Sequence, residues 1–586
     1  LANLIESSKY RTLTLLLVVL STVTSGLYAE EPKATFDEES QEINRIIAAR
    51  KHPYLIHADF TNRVDDLDAL YKLGNYRTIW INQASNQNKV NEVVNLLENA
   101  DEQGLVADSY DIAVLKQKLN AIKAGSSLSK QGAAQLDTAI SLGLIRYLHD
   151  LHYGRVNPHG IQFNLQLREK KLIDIPKLIK DSLLLGTVAQ LPLLTEPKLN
   201  QYQKLKSALA AYRELVKKRQ AFKLIITDKL KPGDQHPQLA ELSQFLADLG
   251  DIAESAVIPI TEKKPRYTQE LAEGIKKFQF RHGIAADGII GQGTVEAINT
   301  PITQRIKQIE LAMERMRWLP ELTVGKSIIV NIPAFQLWAF DDVKNALPQI
   351  TNMRVVVGKA LKNQTPVLMA QMQFIEFLPY WNVPPNILKD EIIPKLIRNP
   401  RYLASQNMEI VAGYSQNAKS IPVSATAIDK LKKGIYRVRQ RPGRGNSLGK
   451  VKFIFPNKDD VYLHDTPAGA LFKKTRRDFS HGCVRVENPL ALAEFVLKGQ
   501  GNWNEVTIKK AMNRSDNQRV DLQHPIPVLF FYTTTFVDQN NNLAFYPDIY
   551  GHDITLLEAL KKPNDLPDQS IFMSKEDNSF GTNKTQ

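Results

Sequence analysis

At 586 residues the chain exceeds one ordinary hydrophobic core, which sets an expectation of three or four domains. Its 43% hydrophobic and 23% charged content, with no long low-complexity tract, is that of a folded globular protein, and its single cysteine excludes an internal disulfide. Lys and Arg (75) outnumber Asp and Glu (62), leaving +13, which suits a polyanion: nucleic acid, an anionic membrane surface or acidic cell wall. Charge alone does not choose among them.

Lys9 and Arg11 precede a short apolar run, Leu13 to Leu20, and small residues follow from Ser21 to Ala29. A charged segment, an apolar core and a small-residue site read as a signal peptide, residues 1–29, and therefore as export. An uncleaved inner-membrane anchor is the alternative, although the run is short against the roughly 20 residues of a full span. No cysteine follows it closely, so a lipoprotein anchor is excluded. Residues 30–45 are acidic and read as a linker.

From 46 to 250 the periodicity is helical: Val90, Val93, Val94 and Leu97 share one face, and Ile140, Leu144, Ile145 and Leu148 another. His149 and His152 lie three apart, but no third ligand has a sensible spacing, so a helical scaffold is expected and not a metal site. Leu271, Ile275 and Phe278 begin a stripe that runs into Arg281-His282-Gly283-Ile284 and two glycine turns, Asp287-Gly288 and Gly291. Ile302, Ile306, Ile309, Met313 and Met316 then define a long amphipathic helix.

After Pro320 the texture becomes β-rich. Residues 327–332, 336–340, 353–358 and 371–378 read as short strands of a sandwich or barrel. Residues 385–433 interrupt this pattern with a helix-like run and a polar turn, and read as an inserted, lid-like subdomain. Residues 556–586 are polar and read as a tail.

The chemistry concentrates in residues 461–486. Alternation through Val461-Tyr462-Leu463-His464 sends Val461 and Leu463 to the core and Tyr462 and His464 to the other face. The lone Cys483 follows in Ser480-His481-Gly482-Cys483, and Asn488-Pro489 reads as the cap and first residue of a helix. A thiolate is the nucleophilic form, so Cys483 needs a neighbouring base, for which His464 and His481 are the candidates. Gly482 lets backbone approach a tetrahedral intermediate, and amides around Gly482 and Cys483 are candidate oxyanion donors. Arg485 and Arg477 add positive charge suited to a substrate carboxylate.

Two resemblances follow from these motifs. The run Phe278-Gln279-x-x-His282-Gly283-Ile284-x-x-Asp287-Gly288-x-x-Gly291-x-x-Thr294-x-x-Ala297-Ile298-Asn299 resembles the small three-helix peptidoglycan-binding domain of cell-wall enzymes. His464, fifteen intervening residues and Ser480-His481-Gly482-Cys483-Val484, with Tyr380-Trp381-Asn382-Val383-Pro384 and Tyr462-x-His464-Asp465-Thr466-Pro467, resemble the L,D-transpeptidases, over residues 327–553. Together they are similar to the large periplasmic subgroup of Gram-negative bacteria.

The resemblance implies a multi-domain α+β architecture: helical scaffold (46–250), peptidoglycan-binding domain (251–320) and catalytic domain (321–555). It implies Cys483 as acylated nucleophile, His464 as its base, and the Asp465 carbonyl as the group orienting that imidazole. Ser480, His481 and Gly482 would form the oxyanion side, and Arg485, Tyr462, Trp381 and Asn488 would contact substrate. Some family members carry Asn where this chain has Arg485, which bears on acceptor preference. The implied reaction is 3→3 cross-linking of diaminopimelate residues through a thioester, with tetrapeptide stems as donor and acceptor and carbapenem acylation as a corollary. No cofactor, metal or nucleic acid is implied; other wall-synthesis enzymes are possible partners. An L,D-carboxypeptidase, protein-to-wall attachment and a non-catalytic wall-binding scaffold remain the alternatives.

Overall fold

The computed structural model describes residues 37–562, apart from 82–86, 162–172, 219–221, 321–324, 343–349, 416 and 539–540. The expected signal segment, residues 1–29, lies outside the described residues. No helix among the described residues is long and apolar enough to cross a membrane.

The N-terminal region is helical. Helix α1 (Glu38–Ala49) is capped by the Asp37 carboxylate, which accepts the Ser40 N–H at 3.0 Å. Its residues 38–45 fall in the stretch that the sequence assigns to a linker: Ile43, with Ile46 and Ile47 beyond it, makes a narrow apolar stripe that packs on α2, and Glu38 and Glu39 suit the positive end of the helix dipole. Helix α2 (Lys130–Tyr153) is buried almost all round, polar residues such as Asp137, Arg146 and Asp150 included, and it is the axis of this region. His149 and His152 on it serve structure. His149 Nδ1 meets Arg63 Nη2 at 2.7 Å, and His152 Nδ1 meets the Thr195 carbonyl at 2.9 Å. Helix α3 (Asn200–Lys218) closes the region.

A second core joins Leu224, Leu230, Leu239, Phe245 and Leu246 to Leu271, Ile275, Phe278, Ile290 and Ile298. It is built from α4 (Leu239–Asp248), α5 (Gln269–Arg281) and α6 (Gln292–Ile298). The boundary drawn at 250/251 from sequence therefore cuts through this domain; α4 belongs to it and not to the scaffold. Its motif residues knit turns: Gln279 Nε2 donates to Asp287 Oδ1 (3.0 Å) and the Ile289 carbonyl (2.9 Å), and Gln279 Oε1 accepts the Gly288 N–H (2.9 Å).

Helix α7 (Ile302–Arg317), which the sequence groups with that domain, packs on α3 and joins the main core through Ile309, Met313 and Met316. Glu314 and Arg317 pair within it at 2.8 Å, while Arg315 reaches Asp553 at 2.5 Å. All three are buried. The helix therefore ties scaffold to β domain.

The β domain comprises β1 (Ser327–Asn331), β2 (Gln336–Phe340), β3 (Ile350–Gly358), β4 (Leu368–Phe377), β8 (Val451–Ile454), β9 (Leu463–His464), β10 (Asp478–Ser480), β11 (Val484–Val486) and β12 (Gln518–Phe531). They form one sheet in the order β10-β3-β11-β9-β8-β4-β12-β1-β2, and β2 pairs back onto β3, so the sheet closes on itself. Closure leaves few free edges and gives an interior lined by Ile328, Val330, Val355, Val357, Ile375, Phe453, Leu463 and Val484. Helix α8 (Pro489–Leu497) covers it.

The insertion is a unit of its own. Strands β5 (Trp381–Asn382), β6 (Met408–Val411) and β7 (Arg437–Gln440) form a separate sheet in the order β5-β7-β6, above a small core of Val383, Ile387, Leu396, Leu403, Leu431 and Val438. It thus extends on both sides of the 385–433 span. The hairpin β13 (Thr535–Val537) and β14 (Leu543–Phe545) receives the second domain: His282 stacks on Phe545 (5.6 Å between ring centres), and Arg281 Nη1 donates to the Leu543 carbonyl at 3.3 Å. Helix α9 (His552–Leu560), with Leu556 and Ala559 buried, replaces the first part of the expected tail; residues 563–586 lie outside the described residues.

Candidate active site

Strands β8, β9 and β11 lie side by side, antiparallel and then parallel, with Lys452 opposite His464 and His464 opposite Arg485. Residues opposed across neighbouring strands share a sheet face. Lys452, His464 and Arg485 thus form one row across the sheet, while Phe453, Leu463, Val484 and Val486 fill the core behind it. Cys483 stands half-buried immediately before β11, at the end of the Ser480–Gly482 loop.

His464 Nδ1 lies 2.5 Å from the carbonyl oxygen of Asp465. That carbonyl can only accept, so Nδ1 carries the hydrogen and Nε2 of the neutral ring is left as the basic nitrogen. Burial, then Arg485 and Lys452, hold the imidazole far below its ordinary value, at about 3, so the ring is neutral at physiological pH. The Asp465 carboxylate is engaged elsewhere, accepting the Lys450 N–H at 2.7 Å and the Thr466 N–H at 2.6 Å. Burial pushes the Cys483 thiol up, opposed by the backbone and hydroxyl of Tyr462 and then by Lys452 and Arg485. The resting pair is therefore thiol and neutral imidazole. Tyr462 stands edge-on to His464, with ring centres 5.7 Å apart, and carries the Lys452 ammonium 3.9 Å over its ring.

The remaining residues expected at the site divide. Gly482 has φ +116°, which a residue with a Cβ adopts only under strain, and its N–H donates to Ser480 Oγ at 3.2 Å. The Cys483 N–H makes no hydrogen bond among the described residues. His481 turns away from this loop: its Nε2 meets Glu391 Oε1 of the insertion at 2.8 Å. Arg485, opposite His464, has a buried Nε with no hydrogen-bond partner among the described residues. Arg477 is not available. It donates to the carbonyls of Val355 (3.2 Å), Phe335 (3.1 Å) and Lys474 (2.7 Å), which corrects its reading as a carboxylate ligand. Asn488 caps α8, its Oδ1 accepting the Ala491 N–H at 3.1 Å, and Trp381 packs on the core of the insertion; neither is seen lining the thiol.

Three contributors escape sequence reasoning. Lys452 sits between the apolar Val451 and Phe453, and that alternation was the signal that would have placed it on the face of His464. Asp460, at φ +51°, presents its carbonyl 3.9 Å from the Cys483 sulfur, in a turn held by the Asn457 side chain. Glu391 carries no signal at all, because only the folded insertion brings it to His481.

A closed β domain bearing a thiol, a neutral imidazole with its free nitrogen available and an unbonded loop amide is a scaffold for acyl-transfer chemistry. Residues 325–508 match the L,D-transpeptidase catalytic domain, residues 235–298 the "Putative peptidoglycan binding domain" and residues 65–209 the "Scaffold domain". The chain thus carries an L,D-transpeptidase catalytic domain together with a peptidoglycan-binding and a scaffold domain, in a multi-domain α+β architecture. A protein of Haemophilus influenzae described as "Putative L,D-transpeptidase" is 31% identical over 287 residues, 48% of this chain and 56% of that relative. The chain therefore matches little more than half the length of that protein. A crystal structure of the L,D-transpeptidase from Xylanimonas cellulosilytica is 13% identical, covering 53% of this chain and 100% of that one, at a TM-score of 0.16.

Proposed function

We propose that Cys483 is the nucleophile of a two-step transfer that forms 3→3 cross-links between peptidoglycan stem peptides, in the exported compartment facing the wall. The observation that carries this reading is the half-buried thiol, its own N–H unbonded among the described residues, at the head of the strand whose Arg485 lies opposite a neutral His464 fixed at Nδ1 by the Asp465 carbonyl. The thiol proton passes to His464 Nε2 as sulfur attacks the carbonyl that links donor diaminopimelate to the terminal D-Ala. The carbonyl electrons move onto oxygen, beside the Cys483 N–H. Collapse breaks the C–N bond, and the imidazolium returns the proton to the leaving D-Ala amine. The side-chain amine of a second stem then attacks the thioester, His464 removes its excess proton, and the thiolate leaves. The peptidoglycan-binding match at residues 235–298 and the excess of basic residues support an acidic wall polymer as substrate.

Mass analysis of the full chain incubated with purified tetrapeptide muropeptides tests the reading. Dimers lacking one D-Ala, absent for Cys483→Ala, are expected. Tripeptide monomers alone would replace transfer with hydrolysis, and dimers formed by Cys483→Ala would remove the cysteine from the mechanism.

A further inference from the structure

The peptide that joins Gly482 to Cys483 is held from one side only. Its carbonyl accepts the Thr365 hydroxyl at 2.7 Å. In a trans peptide the N–H points opposite to the carbonyl, so the unbonded N–H of Cys483 is directed away from Thr365. Thr365 is itself held at both polar atoms. Its Oγ1 accepts the Gly358 N–H at 2.9 Å, and its own N–H donates to the Tyr550 hydroxyl at 3.2 Å. That hydroxyl in turn donates to the Gly358 carbonyl at 2.6 Å. The ring of contacts Gly358–Thr365–Tyr550 is buried, and Thr365 is 1% exposed. Gly358 is where the loop folds back most closely: a Cβ there would stand 1.9 Å from the Asn363 carbonyl oxygen.

Gly482, at φ +116°, has no side chain to fix this peptide from its own residue. Without an external hold the peptide would have freedom to rotate. A donor that must meet a developing oxyanion at about 2.7–3.1 Å acts only if it is oriented before the charge forms. We propose that Thr365, braced by Tyr550, is the positioning residue that locks the Gly482–Cys483 peptide so that the Cys483 N–H serves as oxyanion donor. The inference rests on the acyl-transfer reading of Cys483. It gives the loop at 358–365 a part in the reaction although Thr365 itself touches no reacting atom.

The test compares Thr365→Val, which removes the hydroxyl at similar volume, with Thr365→Ser, which restores it. Three rates are measured on the full chain: thioester formation with a tetrapeptide stem, acylation by p-nitrophenyl acetate, and alkylation by iodoacetamide. Both acylations pass through an oxyanion, and alkylation does not. Thr365→Val is expected to slow both acylations by about 10- to 100-fold, less than outright loss of a donor, to leave alkylation within about twofold, and Thr365→Ser to recover most of the loss. Unchanged acylation in Thr365→Val, or alkylation falling in step with it, overturns the proposal. A wild-type chain that reacts with the ester but not the stem, while the Thr365 contrast persists, overturns the substrate reading and leaves the positioning role standing.

Discussion

Replacing Lys452 with methionine keeps a long apolar stem in β8 and removes an ammonium whose charge acts on both the Cys483 thiol and the His464 imidazole. The Lys452 side chain is half-buried, and its ammonium makes no ion pair or hydrogen bond among the described residues and lies over the Tyr462 ring. The charged and titratable groups around it are Glu376 on β4, Asp460 and Tyr462 in the segment leading into β9, His464 on β9, and Cys483 and Arg485 at β11. Opposed side chains on neighbouring strands stand about 5 Å apart at Cβ. Taking a charge-to-sulfur distance of about 7 Å and an effective dielectric of about 20, the cation favours the thiolate by roughly 2 kcal/mol. Solvent screening reduces this to on the order of 1.4 kcal/mol, about one pH unit. The sign is definite: a nearby cation lowers a thiol, so its loss raises it. Alkylation of Cys483 by iodoacetamide, followed against pH, should show its midpoint about one unit higher in Lys452→Met, with roughly tenfold slower reaction below the midpoint. Lys452→Arg should stay close to wild type. A midpoint that moves by less than about 0.2 unit in Lys452→Met would refute the electrostatic role assigned to this lysine.

Asp553→Ala should leave the Arg315 guanidinium buried without its carboxylate and lower stability by on the order of 3 kcal/mol, read from urea unfolding of the full chain. A loss below about 1 kcal/mol would mean that other contacts of Arg315 carry the joint. Acid should also destabilise the protein. His52 and His552 are held at about 4, His464 at about 3 and His282 well below its ordinary value, burial being the largest cause for each. Between those values and about 6.5 the unfolded chain binds protons that the folded chain refuses, so stability falls as pH drops below 6.5, by roughly 2 kcal/mol at pH 5 for each of His52, His552 and His464, with His282 acting in the same direction. Asp137 and Asp150, raised to about 6 chiefly by burial, act in the opposite sense, each adding about 1.4 kcal/mol by pH 5. The net expectation from the three histidines and two aspartates is a loss on the order of 3 kcal/mol between pH 7 and pH 5, which His282 deepens. A melting temperature equal at the two pH values would contradict it.

What could be read in advance was local. Two-residue alternation placed Tyr462 and His464 on one face and Val461 and Leu463 in the core, because that period depends only on the strand's own geometry. Asn488-Pro489 was readable as a helix start for the same reason. The misreadings concern what distant segments do to one another. Arg477 looks like a free cation until three carbonyls from elsewhere in the chain close on it. His481 looks like a partner of Cys483 until the insertion brings Glu391 to it. Helix α4 has the composition of the scaffold helices before it, so nothing in its residues announced that Leu239 and Phe245 pack with the domain that follows. Helix α1 was hidden by its acidic first turn, with only three isoleucines to mark its inner face.

The modularity suggested by three domain matches has a physical limit at α7. A fragment cut just before the β domain, at residue 321, would strip Ile309, Met313 and Met316 from the main core and leave Asp553 facing an empty place where a guanidinium stood. A fragment extended back to residue 302 would recover Arg315 but expose the face of the same helix that Glu314 and Arg317 hold against the scaffold, through the Arg155 N–H (2.5 Å to Glu314) and the carbonyl of Gln103. The helix is shared property, so the catalytic domain has no clean N-terminal edge. The smallest piece of this protein that retains every buried charge with its partner includes the scaffold.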